Sequence, residues 1–416
     1  MPFPNAGIYT IVATATDPVG NTGSASVTVR VIDPTDGHFP DVSINQANLQ
    51  ALNGLITKPT PIIGTVQDAT LQSYRVDIAP ADKIDPTNVA ADSPIYRTIA
   101  TGTANVSDAQ VAILDPTVLD NGSYFVRIIA TNLNGNTNAR GVILTVGGDL
   151  KLGRFFYSTT DLSVPLAGIP IQIIRTYDTL ASGHSGDFGY GWSLSGVEAR
   201  VQTSVAPLAS PYPNFLASQG ASFRIGSTVT ITGPDGRREN FTFGVQGANL
   251  GIPGVPAGFG LFGATLVPSF QPEQGVYYRL TPDDRPLLTV GANGSVGTYL
   301  LGLAYYPTSY HLTTRDGHVY HYTLANGLED VHDRNGVTLT FTHTGIYSST
   351  GASITYTRDP ASDRITTITD PNGNLIHYAY DGSGNLASVT DQAAQRLPFG
   401  FHGLFHLAIG RFALSC

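Results

Sequence analysis

The stretch ITDPNGNLIHYAYDGSGNLASVTD, Ile368 to Asp391, decides the reading of the chain. Two turn signals punctuate it, Pro371-Asn372-Gly373-Asn374 and Asp381-Gly382-Ser383-Gly384-Asn385. Gly and Asn dominate such turns because they accept a positive φ at little steric cost. Between the turns, a strand over Leu375 to Tyr380 places Ile376, Tyr378 and Tyr380 on one face. A second short strand follows from Leu386 to Val389. The unit of strand, tight turn and strand repeats. Asp370 and Asp391 each follow a β-branched residue and Thr, and they stand 21 residues apart. A period in that range is the signature of a repeat architecture.

These residues resemble the tyrosine-aspartate (YD) repeats of the Rhs family, roughly D-x-x-G-N-x-x-x-Y-x-Y-D-x-x-G-x-L-x-x-V-x-D. Asp370, Gly373, Asn374, Tyr378, Tyr380, Asp381, Gly384, Leu386, Val389 and Asp391 fill the pattern. The resemblance implies a long β-ribbon that spirals into a hollow shell. Members include bacterial polymorphic toxins, the cocoon subunits of Tc toxins and animal teneurins.

A second stretch carries the same resemblance. Asp161-Leu-Ser-Val-Pro165, then Gly168 to Asp178 with Arg175 and Tyr177, then Gly186-Asp-Phe-Gly-Tyr-Gly-Trp192, are similar to the segment that precedes the repeats in Rhs proteins. Ile169, Ile171 and Ile173 alternate with Pro170, Gln172 and Ile174, so one face is wholly apolar and the other mixed. Trp192, the single Trp, reads as a core anchor. Upstream of Ile368, turns at Arg315-Asp316-Gly317 and Arg334-Asn335-Gly336 resemble degenerate YD repeats.

The amino-terminal side has its own duplication. Gly7-Ile8-Tyr9, Ala15-Thr16-Asp17 and Gly20-Asn21-Thr22 align with Gly122-Ser123-Tyr124, Ala130-Thr131-Asn132 and Gly135-Asn136-Thr137 at a constant offset of 115 residues. Each copy reads as a hairpin with a Gly-Asn turn. The offset is the size of one β-sandwich domain. Asp120-x-Gly122-x-Tyr124 is similar to the tyrosine corner of immunoglobulin-like sandwiches, where the Tyr hydroxyl reaches back to upstream backbone. The block from His38 to Val146 therefore looks like a bacterial immunoglobulin-like domain, and the first copy like the last two strands of another, cut short at its amino end. Residues 1–32 are expected to form two strands that pack poorly or lean on the next domain.

The expected fold is all-β throughout. Residues 1–37 are read as the end of a truncated immunoglobulin-like domain and 38–147 as an immunoglobulin-like β-sandwich. Residues 148–310 are read as the pre-repeat segment with an irregular β region, 311–395 as YD repeats, and 396–416 as an atypical tail that departs from the repeat pattern. Val229 to Asp391 is expected to supply roughly ten to fourteen strands in one open ribbon, estimated from typical strand lengths. Gly244 to Pro268 is expected to be a long loop. The open ribbon edge and the apolar run Leu397 to Leu414 make the chain an expected aggregator when expressed alone.

Composition excludes several function classes. The formal charge is −9, and only Lys58, Lys83 and Lys151 are lysines, so no cationic surface for nucleic acid is read. No run of eighteen apolar residues suggests a membrane span. Cys416 is the single cysteine, which leaves no intrachain disulfide and no cysteine-based metal site.

No catalytic, cofactor or metal residues are assigned. Gly258-Phe-Gly260-Leu-Phe-Gly263 matches a dinucleotide fingerprint, but flanking prolines disfavour the strand and helix it needs. His311, His318, His321, His332 and His343 crowd one region. His318 and His321 differ by three along a strand and so face opposite ways, and these histidines are read as solvated or packed. Gly191-Trp-Ser193-Leu-Ser195 lacks the last Gly of a nucleophile elbow. The Asp-rich turns lack the ligand spacing of a calcium loop.

The expected role is structural and non-enzymatic, in an exported or cell-surface protein. The resemblance implies cargo enclosed by the full-length shell. The alternatives are a toxin-delivery protein whose toxin module lies elsewhere, and an adhesin with a glycan or protein partner.

Overall fold

The computed structural model describes residues 7–33, 35–50, 54–85, 88–197, 199–205, 222–234, 236–248, 259–260, 263–264, 266–291, 294–299 and 302–398. Their regular structure is almost wholly β. Helix is confined to the single turn Ala47–Gln50 and three short 3-10 turns. The chain divides into two compact units, one mostly before Lys151 and one mostly after it.

In the first unit two sheets share a core. One sheet has the order Leu55–Ile56, Thr137–Val146, Gly122–Asn132, Leu71–Pro80, Arg97–Gly102; the other runs Asp41–Ile44, Thr60–Gln67, Val106–Leu114. Strand alternation explains the packing. Val76, Ile78, Val126, Ile128 and Leu144 from the first sheet meet Val42, Ile62, Val66 and Leu114 from the second.

The opposite face of the first sheet carries charge. Asp77 and Arg127 are direct cross-strand partners. Arg127 Nε donates to Asp77 Oδ2 at 3.0 Å, Nη1 donates to the carbonyls of Val89 and Ala91, and the guanidinium lies 3.6 Å from the centre of the Tyr96 ring. The stretch from Val89 to Tyr96 thus covers this face, and each buried charge keeps its partners.

The amino-terminal hairpin pairs Gly7–Thr16 with Thr22–Val31 in a two-stranded sheet of its own. Asp17 sets its turn by accepting from the amides of Val19 and Asn21 at 2.9 and 2.8 Å. Most of its residues are exposed. It leans on the turn of its later copy: Arg30 Nε donates to the Leu133 carbonyl and the Asp33 amide to Asn134 Oδ1, both at 2.7 Å.

The second unit begins with the strands Phe156–Val164, Ile171–Asp178 and Trp192–Leu194, paired in that order. A further sheet joins Thr228–Thr232, Arg238–Gly247, Leu266–Pro272, Leu288–Val290 and Val296–Thr298. Its core is an aromatic cluster in which Phe223 lies 5.2 Å from Phe243, and Phe243 lies 5.4 and 5.7 Å from Phe270 and Tyr305.

The largest element is an eleven-stranded antiparallel sheet. Arg279–Pro282 leads it, and from Ser309–Thr313 to Arg396–Pro398 every strand pairs with its sequence neighbour. This is the hairpin ribbon.

Three expectations are corrected here. The strands described between Thr228 and Thr390 exceed ten to fourteen and fall into separate sheets rather than one ribbon. Gly244 to Pro268 is not all loop. Val245 pairs with Pro268 and Gly247 with Leu266. The tail does not leave the ribbon at once, since Arg396–Pro398 still pairs with Leu386–Thr390. The rest of the apolar tail, from Phe399, lies outside the described residues. Of the dinucleotide-like stretch, Phe259–Gly260 pairs with Gly263–Ala264 in a small hairpin, where a phosphate site needs a helix start; Gly258, Leu261 and Phe262 lie outside the described residues.

Candidate functional site: the buried face of the repeat ribbon

The turns of the ribbon share one local device. Asp370 Oδ1 accepts from the amides of Asn372 and Asn374, both at 2.8 Å, and Oδ2 accepts from Asn374 Nδ2 at 2.9 Å. Asp381 does the same with Ser383 and Asn385, at 2.9, 2.8 and 3.0 Å. Asp391 accepts from the amides of Ala393 and Gln395. Each carboxylate satisfies amides that a tight turn leaves outside the ladder. Gly373 and Gly384 supply the φ of 85° and 84° that the turn requires. At the equivalent place in the third turn Ala394 holds a φ of 60°.

These turns set the register, so alternate side chains reach one face. Ile368, Ile376, Tyr378, Leu386 and Val389 are buried there. What covers them is the segment 156–194: Ile171, Ile173, Phe188, Trp192 and Leu194 belong to the same core.

An ion pair lies inside this contact. Arg175 Nε and Nη2 donate to Asp161 Oδ2 and Oδ1 at 2.9 and 3.0 Å, a bidentate pair. The register between the two strands slips between Thr160 and Leu162, so Asp161 is the extra residue of a β-bulge. A bulge re-aims its side chain, and here it turns Asp161 toward Arg175. Arg175, only 2% exposed, also lies 4.5 Å from the centre of the Trp192 ring. Tyr177 packs 5.2 Å from Trp192. Pro165 follows the strand Phe156–Val164 and is exposed; its role is to end that strand.

Tyr378, from the ribbon, completes the cluster. Its hydroxyl donates to Asp161 Oδ2 at 2.8 Å and its ring lies 4.6 Å from Phe188. Burial pushes its phenol well above the usual range, and the Asp161 carboxylate pushes it further. The hydroxyl therefore stays protonated as a donor.

A second set of contacts lies beside the first. The Ile365 amide donates to the Asp187 carbonyl at 2.8 Å, Arg358 Nη1 pairs with Asp187 Oδ1 at 2.6 Å, and the Tyr380 hydroxyl donates to the Ile365 carbonyl at 2.5 Å. Gly189 passes so close to the Asp381 turn that a Cβ would stand 2.6 Å from the Gly384 carbonyl. Only Gly fits there.

The structure thus brings together Asp161, Arg175, Tyr177, Trp192, Tyr378 and Tyr380, residues drawn from both sequence motifs. Asp370, Asp381 and Asp391 stand at the turns and not in the cluster. Tyr124 belongs to the other unit, where its hydroxyl donates to the Asp120 carbonyl at 3.0 Å. Sequence reasoning did not find Asp187 and Arg358, which are 171 residues apart and share no local pattern.

The chemistry of the cluster is that of a fastener. A carboxylate is held between a guanidinium and a phenol among apolar side chains, and no group in it is poised as a nucleophile or a base.

Two family models match the chain. Residues 358–396 match the RHS Repeat, and residues 149–241 match a domain of unknown function, DUF6531. No curated protein matches it. The first match falls on the ribbon and the second contains the segment that covers it. The match over residues 358–396 supports the resemblance of the ribbon to the Rhs, or YD-repeat, family.

Proposed function

We propose that this chain is a non-enzymatic scaffold in an exported or cell-surface Rhs-type protein. In this reading an immunoglobulin-like module precedes a YD-repeat sheet, and the segment 149–200 anchors the start of that sheet. Further hairpins of the same kind would extend the ribbon into a shell that holds or presents cargo. The observation that carries the reading is the Asp161–Arg175–Tyr378 cluster, in which the motif residues of the two family matches meet and bury each other. Such a network specifies one docking of segment on sheet.

A double-mutant cycle tests it. Asp161→Asn and Tyr378→Phe, singly and together, should show a coupling of roughly 1 kcal/mol or more in urea unfolding of the second unit, as contacting partners do. Additive effects would remove the fastener, and with it the anchoring role.

A further inference from the structure

The ribbon face opposite the core carries a row of polar side chains near its first strands. Pairing fixes the row. Thr281 stands opposite His311, and His311 opposite His321. His321 stands opposite Asp330 across a register shift. Alternation then puts Asp283, two residues beyond Thr281, and Ser309, two before His311, on the same face. Tyr310, Leu312 and Tyr322 point the other way and are buried.

From this row we infer a divalent transition-metal site, with Zn²⁺ as the favoured ion, formed by Asp283, His311 and His321. The two imidazoles stack with centroids 4.9 Å apart and planes 21° apart. Both direct Nε2 at one carboxylate: His311 Nε2 lies 2.5 Å from Asp283 Oδ1, and His321 Nε2 lies 3.5 Å from Asp283 Oδ2. One ligand atom from each of the three residues lies within 4.8 Å of the others. Zinc binds nitrogen and oxygen at about 2.0–2.2 Å in a tetrahedron, so ligand atoms around one ion stand roughly 3.3–3.6 Å apart. Reaching that spacing takes side-chain rotation of about an ångström, which draws the widest pair together and opens the 2.5 Å contact of His311 with Asp283.

The surroundings are those of a ligating histidine. His321 Nδ1 faces Asp330 Oδ2 at 3.0 Å, which fixes the ring and leaves Nε2 for the ion. Asp330 Oδ1 is in turn 2.6 Å from His332 Nε2. Two imidazoles and one carboxylate, with a further position open to water, suit zinc and its neighbours rather than calcium or magnesium, which prefer all-oxygen shells.

Ser309 Oγ is 2.9 Å from His321 Nε2, so Ser309, His321 and Asp330 also align in the order of a hydrolase triad. The Ser309 hydroxyl, however, donates to Asp283. Its one proton is directed away from His321, which argues against an activated nucleophile. The ion would instead join three strands, Arg279–Pro282 (through Asp283), Ser309–Thr313 and Val319–Thr323, at the start of the ribbon.

Calorimetric titration of the whole chain with ZnCl₂, after chelation and dialysis, tests the site. One equivalent should bind at micromolar Kd or tighter. His311→Asn and His321→Asn should each weaken binding at least 100-fold, and Asp330→Asn 10- to 100-fold. His318→Asn and His343→Asn should leave it unchanged, since those rings face Asp316 and Asp363 instead. Thermal unfolding without metal reports whether each variant is folded. Should the histidine variants fail to fold, Co²⁺ added to the unaltered chain decides: visible d–d bands of a nitrogen-ligated ion support the site, and their absence overturns it. No stoichiometric binding, or equal loss in the His318 and His343 variants, also overturns it. Ester hydrolysis lost with Ser309→Ala and indifferent to zinc would assign the cluster to the triad instead.

Discussion

Two hairpins of this chain have nearly the same sequence pattern and opposite fates. Gly7–Val31 and Gly122–Val146 each align ten residue pairs in the same register, and each turns on a side chain that caps two amides. Yet Ile11 is 44% exposed where its counterpart Val126 is fully buried, and Val12 is 58% exposed where its counterpart Arg127 is fully buried. The local sequence makes the hairpin; a second layer makes it a core. The repeat ribbon obeys the same rule, with the segment 156–194 as its layer.

The widest gap between the copies should appear at Arg127. Arg127→Ala removes a fully buried side chain and its bonds to Asp77, Val89 and Ala91, while Arg75 and Thr98 still reach Asp77, and should cost about 3 kcal/mol in urea unfolding of the first unit. Val12→Ala, at the matching place, should cost under about 0.5 kcal/mol. Equal costs would break the comparison.

Next comes the apolar pair. Val126→Ala removes two buried methyl groups and leaves a cavity, about 2 kcal/mol. Ile11→Ala should again stay under about 0.5 kcal/mol in the same assay. A smaller effect is expected from Tyr124→Phe, which deletes the hydrogen bond to Asp120 and should cost roughly 1 kcal/mol by thermal unfolding.

Acid sharpens the comparison at the turns. The side chain and amide of Asn21 hold the Asp17 carboxyl below its usual range. Its folded pKa is depressed, so its contribution is present above the unfolded pKa and fades as pH falls through the folded one. The later copy has Asn132 at that place, accepting from the amides of Asn134 and Asn136 without a charge to lose. In an NMR titration the Val19 and Asn21 amides should shift below about pH 4, while the Asn136 amide should not follow Asp17.

Much of this was legible in the sequence, for physical reasons. Turns with Asp, Gly and Asn are local devices, and strand alternation is a local period. Thus the repeating hairpin and the buried Ile376 and Tyr378 could be read from residues 368–391 alone, whereas the register shift beside Tyr380 could not. Contacts between distant strands leave no such period. The bulge at Asp161, the Asp187–Arg358 pair and the Asp77–Arg127 pair depend on which strands become neighbours. The histidines show the limit well. Spacing within one strand set His318 against His321, whereas pairing across strands set His311 beside His321.

Hydrogen exchange on the whole chain, unaltered and with Arg175→Ala, tests most directly whether the segment 156–194 is the layer that makes the ribbon a core. Losing Arg175 should lower protection in Phe156–Val164 and Ile171–Asp178 and, to the same extent, in Leu375–Tyr380 and Leu386–Thr390 of the ribbon, which pack against them. Protection lost from the segment alone, with Leu375–Thr390 unchanged, would contradict the account.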